Sequence, residues 1–397
     1  MKKPELLAPA GDLEKLKWAI KYGADAVYIG GTLFNLRANA TNFTLEEIKE
    51  GVEYAHKYNK KIYVTVNTVL HNIELALIKD YLKQLEKIKV DAIIVSDPTI
   101  IDLAKETSLE IHLSTQQSTL NYEAVEFWKK QGVTRIVLAR EIEKDEIKQI
   151  KEKVDIELES FIHGSTCASY SGRCVLSNFL TNRDSNRGGC SQICRWDFDL
   201  LDENKNKIKA NKPFTFCTKD LSMLKYIKEM IELGITSFKI EGRMRSIYYL
   251  ATVIKVYRQV IDDYFEKKYV YNEANEHILR NVANRDSICQ FFDGNYGKEV
   301  QYYNGRNEVS NQDFLGIVLD YKDGKALVEE RNYFKKGDLV EVFGPKTDLQ
   351  TFKINKIYDE NNKLIEVVRH PKQKVKIDID ILVRKDDIIQ IKRVDNN

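Results

Sequence analysis

Short apolar runs, several of them β-branched, recur along the first two thirds of the chain, and each is followed by a longer amphipathic stretch. The runs are ELLAPA from Glu5, AVYIGG from Ala26, KIYVTVN from Lys61, AIIVSD from Ala92, EIHLSTQ from Glu110, RIVLAR from Arg135, IELESFIHG from Ile156 and SFKIEGR from Ser237. Nearly continuous apolar strands alternating with helices predict a parallel sheet covered on both faces. The intervening stretches carry helix punctuation. Asp12 precedes LEKLKWAIKYG, in which Leu13, Leu16 and Ile20 share a face and Gly23 closes the far end. Leu45 to Tyr58, Asn72 to Ile88, Ile142 to Lys153 and Ser246 to Tyr264 show the same periodicity. Eight such units predict an α/β fold, a (β/α)8 TIM-like barrel. An open doubly wound sheet is the alternative, but no G-x-G-x-x-G follows the first strand.

The rhythm breaks twice. Between the seventh and eighth strands lies an excursion from Ser165 to Thr236, with a polar hairpin-like piece (DFDLLDENKNKIKA) and a helix expected from about Asp220 to Leu233. After about Arg285 the pattern turns to short alternating strands: DFLGIVLDYK, KALVEERN, DLVEVFG, TFKINKIYDE, KLIEVVRH and DILVRK, separated by DG, GP and NN turns. The expected organisation is a barrel over 1–284 with a cysteine cluster region at 161–220, a linker over 285–311, and a small all-β barrel over 312–397.

Composition narrows the class. With 43% hydrophobic and 31% charged residues the chain reads as an ordinary globular protein. A net charge of +2 announces no polyanion, so a surface for nucleic acid has to be a local patch. Pro4, Glu5, Pro9 and Asp12 interrupt the N-terminal apolar run, and no run has the length of a membrane span. The expected location is cytoplasmic, with no membrane partner. In a reducing compartment, clustered cysteines point to metal or catalysis rather than disulfides.

Four of the six cysteines, Cys167, Cys174, Cys190 and Cys194, fall in the stretch Phe161–Trp196, among Gly, Ser, Asn and Arg rather than an apolar face. Such a segment buries too little hydrocarbon to hold one shape by itself. The spacing Cys-x6-Cys-x15-Cys-x3-Cys departs from the close pairs of zinc ribbons and suits the larger body of an iron–sulfur cluster. Cys217 is an alternative fourth ligand, and Cys289 reads as a small buried hydrophobe. A Cys167–His163 nucleophile pair is conceivable but leaves three cysteines unexplained. Asn67, Asp97, Gln116, Arg140, Glu141, Glu159, His163, Glu241 and Arg243 end or follow strands and are expected to face the barrel mouth. There is no HExxH and no Walker loop.

These residues resemble the collagenase-like peptidase family U-32. The likeness runs through ELLAPAGDLEKLKWAIKYGADAVYIGG, VTVNTVLHN, IHLSTQQSTLN and SFKIEGRMRSIYYLATVIKVYRQVID. Its most specific block is ESFIHGSTCASYSGRCVLSNFLTNRDSNRGGCSQICRWDF. Within the family the chain looks most like members that hydroxylate the wobble uridine of tRNA to 5-hydroxyuridine. Other members hydroxylate a cytidine of ribosomal RNA or take part in quinone hydroxylation, and the family label is that of a peptidase. The resemblance implies a 4Fe–4S cluster on Cys167, Cys174, Cys190 and either Cys194 or Cys217. It also implies tRNA as partner and prephenate, a small-molecule carboxylate donor, as co-substrate. His163, Arg140, Glu241 and Arg243 are then the expected catalytic residues and Arg187, Asn67 and Gln116 the expected cofactor-binding residues, with Arg140, Arg243 or Arg187 expected to meet the carboxylate donor. Arg183 joins Arg187 as an expected RNA contact, and a collagenase-like hydrolase is the competing reading.

Overall fold

A computed structural model describes residues 2–35, 42–209, 211, 213–294, 297–303, 310 and 312–392. Parts of the expected linker (295–296, 304–309 and 311) and residues 393–397 lie outside the described residues. The chain divides into two compact units, one of residues 1–276 with 285–308 and one of residues 277–284 with 309–397.

The first unit is a closed barrel of eight parallel strands with helices around it. The strands are β1 (Glu5–Pro9), β2 (Ala26–Gly30), β3 (Lys61–Val66), β4 (Ala92–Val95), β5 (Glu110–Leu113), β6 (Arg135–Val137), β7 (Glu157–Gly164) and, after the short β8 (Asp220–Ser222), β9 (Ser237–Ile240). The ladder closes because β9 pairs in parallel with both β1 and β7. The helices are α1 (Leu13–Lys21), α2 (Leu45–Lys57), α3 (Leu75–Ile88), α4 (Pro98–Ala104), α5 (Tyr122–Lys130), α6 (Lys144–Lys153), the excursion's own α7 (Leu176–Thr181), α8 (Ile227–Glu232) and α9 (Ile247–Phe265). The sequence signals act as expected. The Asp12 carboxylate accepts from Lys15 N at 2.8 Å at the start of α1, and Ser246 caps α9. Tyr249, Val253, Val256, Tyr257 and Val260 of α9 are buried against the sheet.

The barrel interior is not wholly apolar. Leu7, Ala26, Tyr28, Tyr63, Ala92 and Ile94 pack together inside it. Towards the N-terminal ends of the strands they give way to charge. Arg135 reaches Glu5 at 2.7 Å and Glu157 at 2.6 Å, and Lys239 reaches Glu159 at 2.7 Å. Glu159 was expected at the mouth. It lies instead in this interior layer, fully buried, because the third position of an eight-residue strand sits far from its C-terminal end. Burial pushes its carboxyl up, but Lys239 and Arg135 outweigh that and hold it below the ordinary range.

The excursion also differs from its expected form at one end. Residues 220–222, expected to begin a helix, form β8 instead, antiparallel to the end of β7; a 3-10 turn at Leu224–Tyr226 follows and leads into α8 at Ile227. The polar hairpin is present as bridges Phe198–Phe214 and Leu201–Lys207.

Over 312–392 the second unit is an antiparallel all-β module whose sheets enclose Leu315, Val318, Val328, Val340, Ile377 and Ile389 among others, and its residues 277–281 belong to the helix Glu273–Asn281. Its longest strand, Gln312–Lys322, pairs with Lys325–Glu330 on one side and Ile388–Lys392 on the other. DILVRK, read as a strand, is not one. The ladder strands are its neighbours Lys374–Asp378 and Ile388–Lys392, and Asp387 turns the chain by accepting from Arg384 N at 2.8 Å.

Candidate functional site

The loops that leave the C-terminal ends of β6, β7 and β9 enclose a cavity of about 550 Å3, the position where barrels of this kind carry their chemistry. Cys167, Cys174, Cys190 and Cys194 all line it. So do Arg140, Arg173, Arg195 and Arg245, faced by one carboxylate, Glu241.

Specific contacts hold the glycine- and serine-rich excursion in place of an apolar core. Gly164 ends β7 at φ +111°, and a Cβ there would come within 2.6 Å of the Glu241 carbonyl oxygen, so the close approach of the two strand ends requires glycine. Gly172, at φ +70°, lies where a Cβ would press on the Gln116 side chain at 2.6 Å. The next residue, Arg173, donates to the Gln116 carbonyl (3.1 Å) and to Gln117 Oε1 (3.2 Å), which anchors Cys174 to the segment after β5. Arg187 grips Glu74 with two bonds of 2.7 Å and donates to the Val69 carbonyl at 2.7 Å, which anchors the segment carrying Cys190 beyond β3. Thr215 Oγ1 donates to the Cys194 carbonyl at 3.0 Å, and Ser185 Oγ donates to that of Cys174. Arg285 holds Asp220 and donates to Ser165 Oγ at 3.0 Å.

The thiols sense one another. Burial pushes Cys194 up to about 11; Arg195 pulls against this, and the charges of Cys167, Cys217 and Cys190 push further. Cys217 is buried, also raised by burial, and its Sγ points to the Thr218 carbonyl at 3.6 Å. Among the described residues no three His, Cys, Asp or Glu side chains stand where they could hold a single metal ion. Tetrahedral zinc needs its sulfurs at about 2.3 Å from one point. A four-iron cluster takes its thiolates at the corners of a larger body. A wide cavity ringed by four cysteines fits that donor set better than it fits a lone ion.

The expected site residues fall into three groups. Arg140 and Glu241 line the cavity. The Arg140 guanidinium lies 4.1 Å from the Phe161 ring centroid and, among the described residues, has no carboxylate partner. Tyr28 OH donates to Glu241 Oε2 at 3.0 Å and fixes that carboxylate. Asn67, Gln116 and Arg187 are taken up in holding the loops: Asn67 Nδ2 donates to Gln116 Oε1 at 2.7 Å, and Gln116 Nε2 returns a bond to the Asn67 carbonyl at 2.8 Å. Asp97, likewise expected at the mouth, caps α4 and accepts from Leu70 N at 3.0 Å. His163 and Arg243 are buried away from the cavity lining. His163 packs against Tyr249 and Tyr257, its Nδ1 3.3 Å from Tyr257 OH, and burial with Arg245 nearby drives its pKa down to about 3. It meets tyrosines rather than Cys167. Arg243 donates to Asn35 Oδ1 at 3.2 Å. Cys289 is half-buried beside Tyr226, outside the cavity.

Arg173, Arg195 and Arg245 were not singled out from the sequence. Arg173 and Arg195 each adjoin a cysteine, and Arg245 follows Arg243 by two, so adjacency to the cysteine motif was the available signal.

Two family descriptions cover almost the whole chain: peptidase family U32 matches residues 11–302 and the peptidase family U32 C-terminal domain matches residues 310–390. The chain belongs to peptidase family U32. A Bacillus subtilis relative named tRNA hydroxylation protein P1 is 51% identical, over 96% of this chain and 92% of its own length. An Escherichia coli relative named 23S rRNA 5-hydroxycytidine C2501 synthase is 40% identical over 66% of this chain and 40% of its own length. A Porphyromonas gingivalis relative named collagenase is 31% identical over 96% of both chains. No described helix is long and apolar enough to cross a membrane.

Proposed function

We propose that this U32 chain is an RNA hydroxylase that converts the wobble uridine of tRNA to 5-hydroxyuridine. On this reading it uses an iron–sulfur cluster and a small carboxylate, prephenate or a close analogue, as the oxygen source. The observation that carries the reading is the convergence of four cysteines and four arginines on one cavity at the loop-bearing end of the barrel. The names of relatives that hydroxylate tRNA and ribosomal RNA support the RNA class.

Cys167, Cys174 and Cys190, with Cys194 or Cys217, would hold the cluster. When bound it supplies redox-active iron beside the cavity. The protein's own residues do the rest. Arg140, pinned on Phe161 and without an acidic partner among the described residues, offers its fork to a carboxylate of the donor. Glu241, oriented by Tyr28, is the carboxylate placed to accept a hydrogen bond or a proton from the entering substrate. Replacing C5–H by C5–OH is a two-electron oxidation, so the donor must deliver an oxygen atom and leave reduced. The peptidase alternative lacks support at His163, which is buried between tyrosines and stays neutral well below neutral pH.

Nucleoside analysis of tRNA from a deletion strain tests the reading. Derivatives of 5-hydroxyuridine should disappear, return with the intact gene, and fail to return with Cys174→Ala or Arg140→Met. Anaerobically purified protein should be brown, with a broad band near ~400 nm. Unchanged nucleosides on deletion refute the tRNA assignment, and colourless, iron-free protein refutes the cluster.

A further inference from the structure

Helix α7 is built inside out. Its one fully buried side chain is the small polar Ser177, 1% exposed, whose Oγ accepts from Ser191 N at 3.0 Å. Phe179 (84% exposed) and Leu180 (55%) face outward, and Val175, the residue before the helix, is 52% exposed. A helix of a globular protein normally places its apolar side chains the other way, so this apolar face is left uncovered. The helix begins in the wall of the cysteine cavity, which Val175 and Leu176 line.

A second apolar element stands in the same wall. Phe216 lines the cavity and is 42% exposed. Its ring meets Phe214 at 4.9 Å and 84°, and Phe198 at 5.5 Å and 74°. Two edge-on neighbours therefore brace the ring and leave it surface towards the cavity. The cavity wall beside Phe216 carries four arginines, Arg140, Arg173, Arg195 and Arg245, against one carboxylate, Glu241. Arg173 and Arg183 are exposed and, among the described residues, neither is ion-paired; Arg173 bonds only neutral groups. Arg187, Arg258 and Arg285 of the same unit are all salt-bridged. In a chain of net charge +2, the positive excess is confined to the cavity lining.

Exposed aromatic rings in and beside an arginine-lined wall suit a strand that offers flat bases and phosphates alternately. We infer that the cavity wall, together with the exposed side of α7 and the residues just after it, is a docking site for a single-stranded stretch of RNA, with one unstacked base against Phe216, another base on Phe179, and phosphates on Arg173 and Arg183. The inference rests on the RNA-hydroxylase reading and adds to it the side chains that hold the substrate.

Fluorescence anisotropy of the full chain with an anticodon stem–loop RNA carrying a wobble uridine tests it, beside a fully paired duplex of the same stem. Phe216→Ala and Phe179→Ala should each weaken stem–loop binding roughly 5- to 150-fold, the loss of one stacked base. Phe179→Trp should bind as well as the wild type, and all variants should melt at the wild-type temperature. Arg183→Gln should lower the slope of log affinity against log salt by about 0.7. Alanine variants that bind the stem–loop like wild type, while 5-hydroxyuridine persists in cells, overturn this inference alone. A wild-type chain that binds neither RNA removes both the inference and the reading beneath it. If Phe179→Ala instead splits a dimer on a sizing column and leaves RNA binding unchanged, the face belongs to a second copy and the inference fails.

Discussion

Removing the Arg187 side chain should free the loop that carries Cys190 without unfolding the barrel. The grip on Glu74 consists of two charge-assisted bonds of 2.7 Å, and a third bond of the same length goes to the Val69 carbonyl. Each charge-assisted bond is worth about 1.5–3 kcal/mol where solvent is excluded. Here the side chains are 28% and 20% exposed, so screening reduces the sum, and we expect about 2 kcal/mol for Arg187→Ala. That corresponds to roughly a 30-fold larger opening constant for the loop. Amide hydrogen exchange resolves the effect: residues 185–194 should lose protection while β1–β4 keep theirs. The pair also sets a pH signature. Arg187 holds the Glu74 carboxyl down at about 2, against 4.5 when free. Its contribution is therefore complete above about pH 4.5 and is lost as pH falls towards 2, so loop protection should decline across that window in the wild type and stay flat in Glu74→Gln. Equal protection in wild type and Arg187→Ala would refute the idea that this arginine anchors the loop.

Other substitutions separate the parts of the site. Alanine at Cys167, Cys174 or Cys190 should abolish bound iron, measured by colorimetric assay, while Cys289→Ala, outside the cavity, should retain it; comparing Cys194→Ala with Cys217→Ala assigns the fourth ligand. Lys239→Met should lower stability by about 3–5 kcal/mol in urea unfolding, because it leaves the fully buried Glu159 with one fewer counter-charge. Gly172→Ala, at φ +70° against Gln116, should cost at least ~1 kcal/mol and loosen Cys174, seen as reduced iron content. Because burial depresses His163 to about 3, the unfolded chain gains a proton below about pH 6.5 that the fold refuses. Stability should fall as pH drops from there, and His163→Gln should remove part of that slope in acid unfolding curves.

The barrel was legible because its signals are local. Each strand reads as an apolar run, and caps such as Asp12 and Ser246 lie in sequence beside the helices they start. The cysteine cavity was legible as a set of residue types, since four thiols in a polar stretch have few other uses. What escaped depends on depth and pairing across the barrel. Glu159, third in β7, lies too deep to face the mouth, whereas His163, near the end of the same strand, packs on Tyr249 and Tyr257 of α9; the sequence marks neither the depth nor the side to which a strand residue turns. Arg187 and Gln116 look like substrate contacts until Glu74 and Asn67, more than forty residues away, are seen to occupy them. The strand Ile388–Lys392 was missed because its pairing with Gln312–Lys322 spans the whole module.

The two arginine anchors of the cysteine excursion end on the shoulders of β3 and β5 and touch no sulfur. If the proposed cluster is bound, scaffold and inorganic cargo would thereby be uncoupled: the polypeptide would reach its shape first and take up iron and sulfide afterwards. A cell short of iron would then accumulate intact, reloadable apoprotein rather than debris for proteolysis.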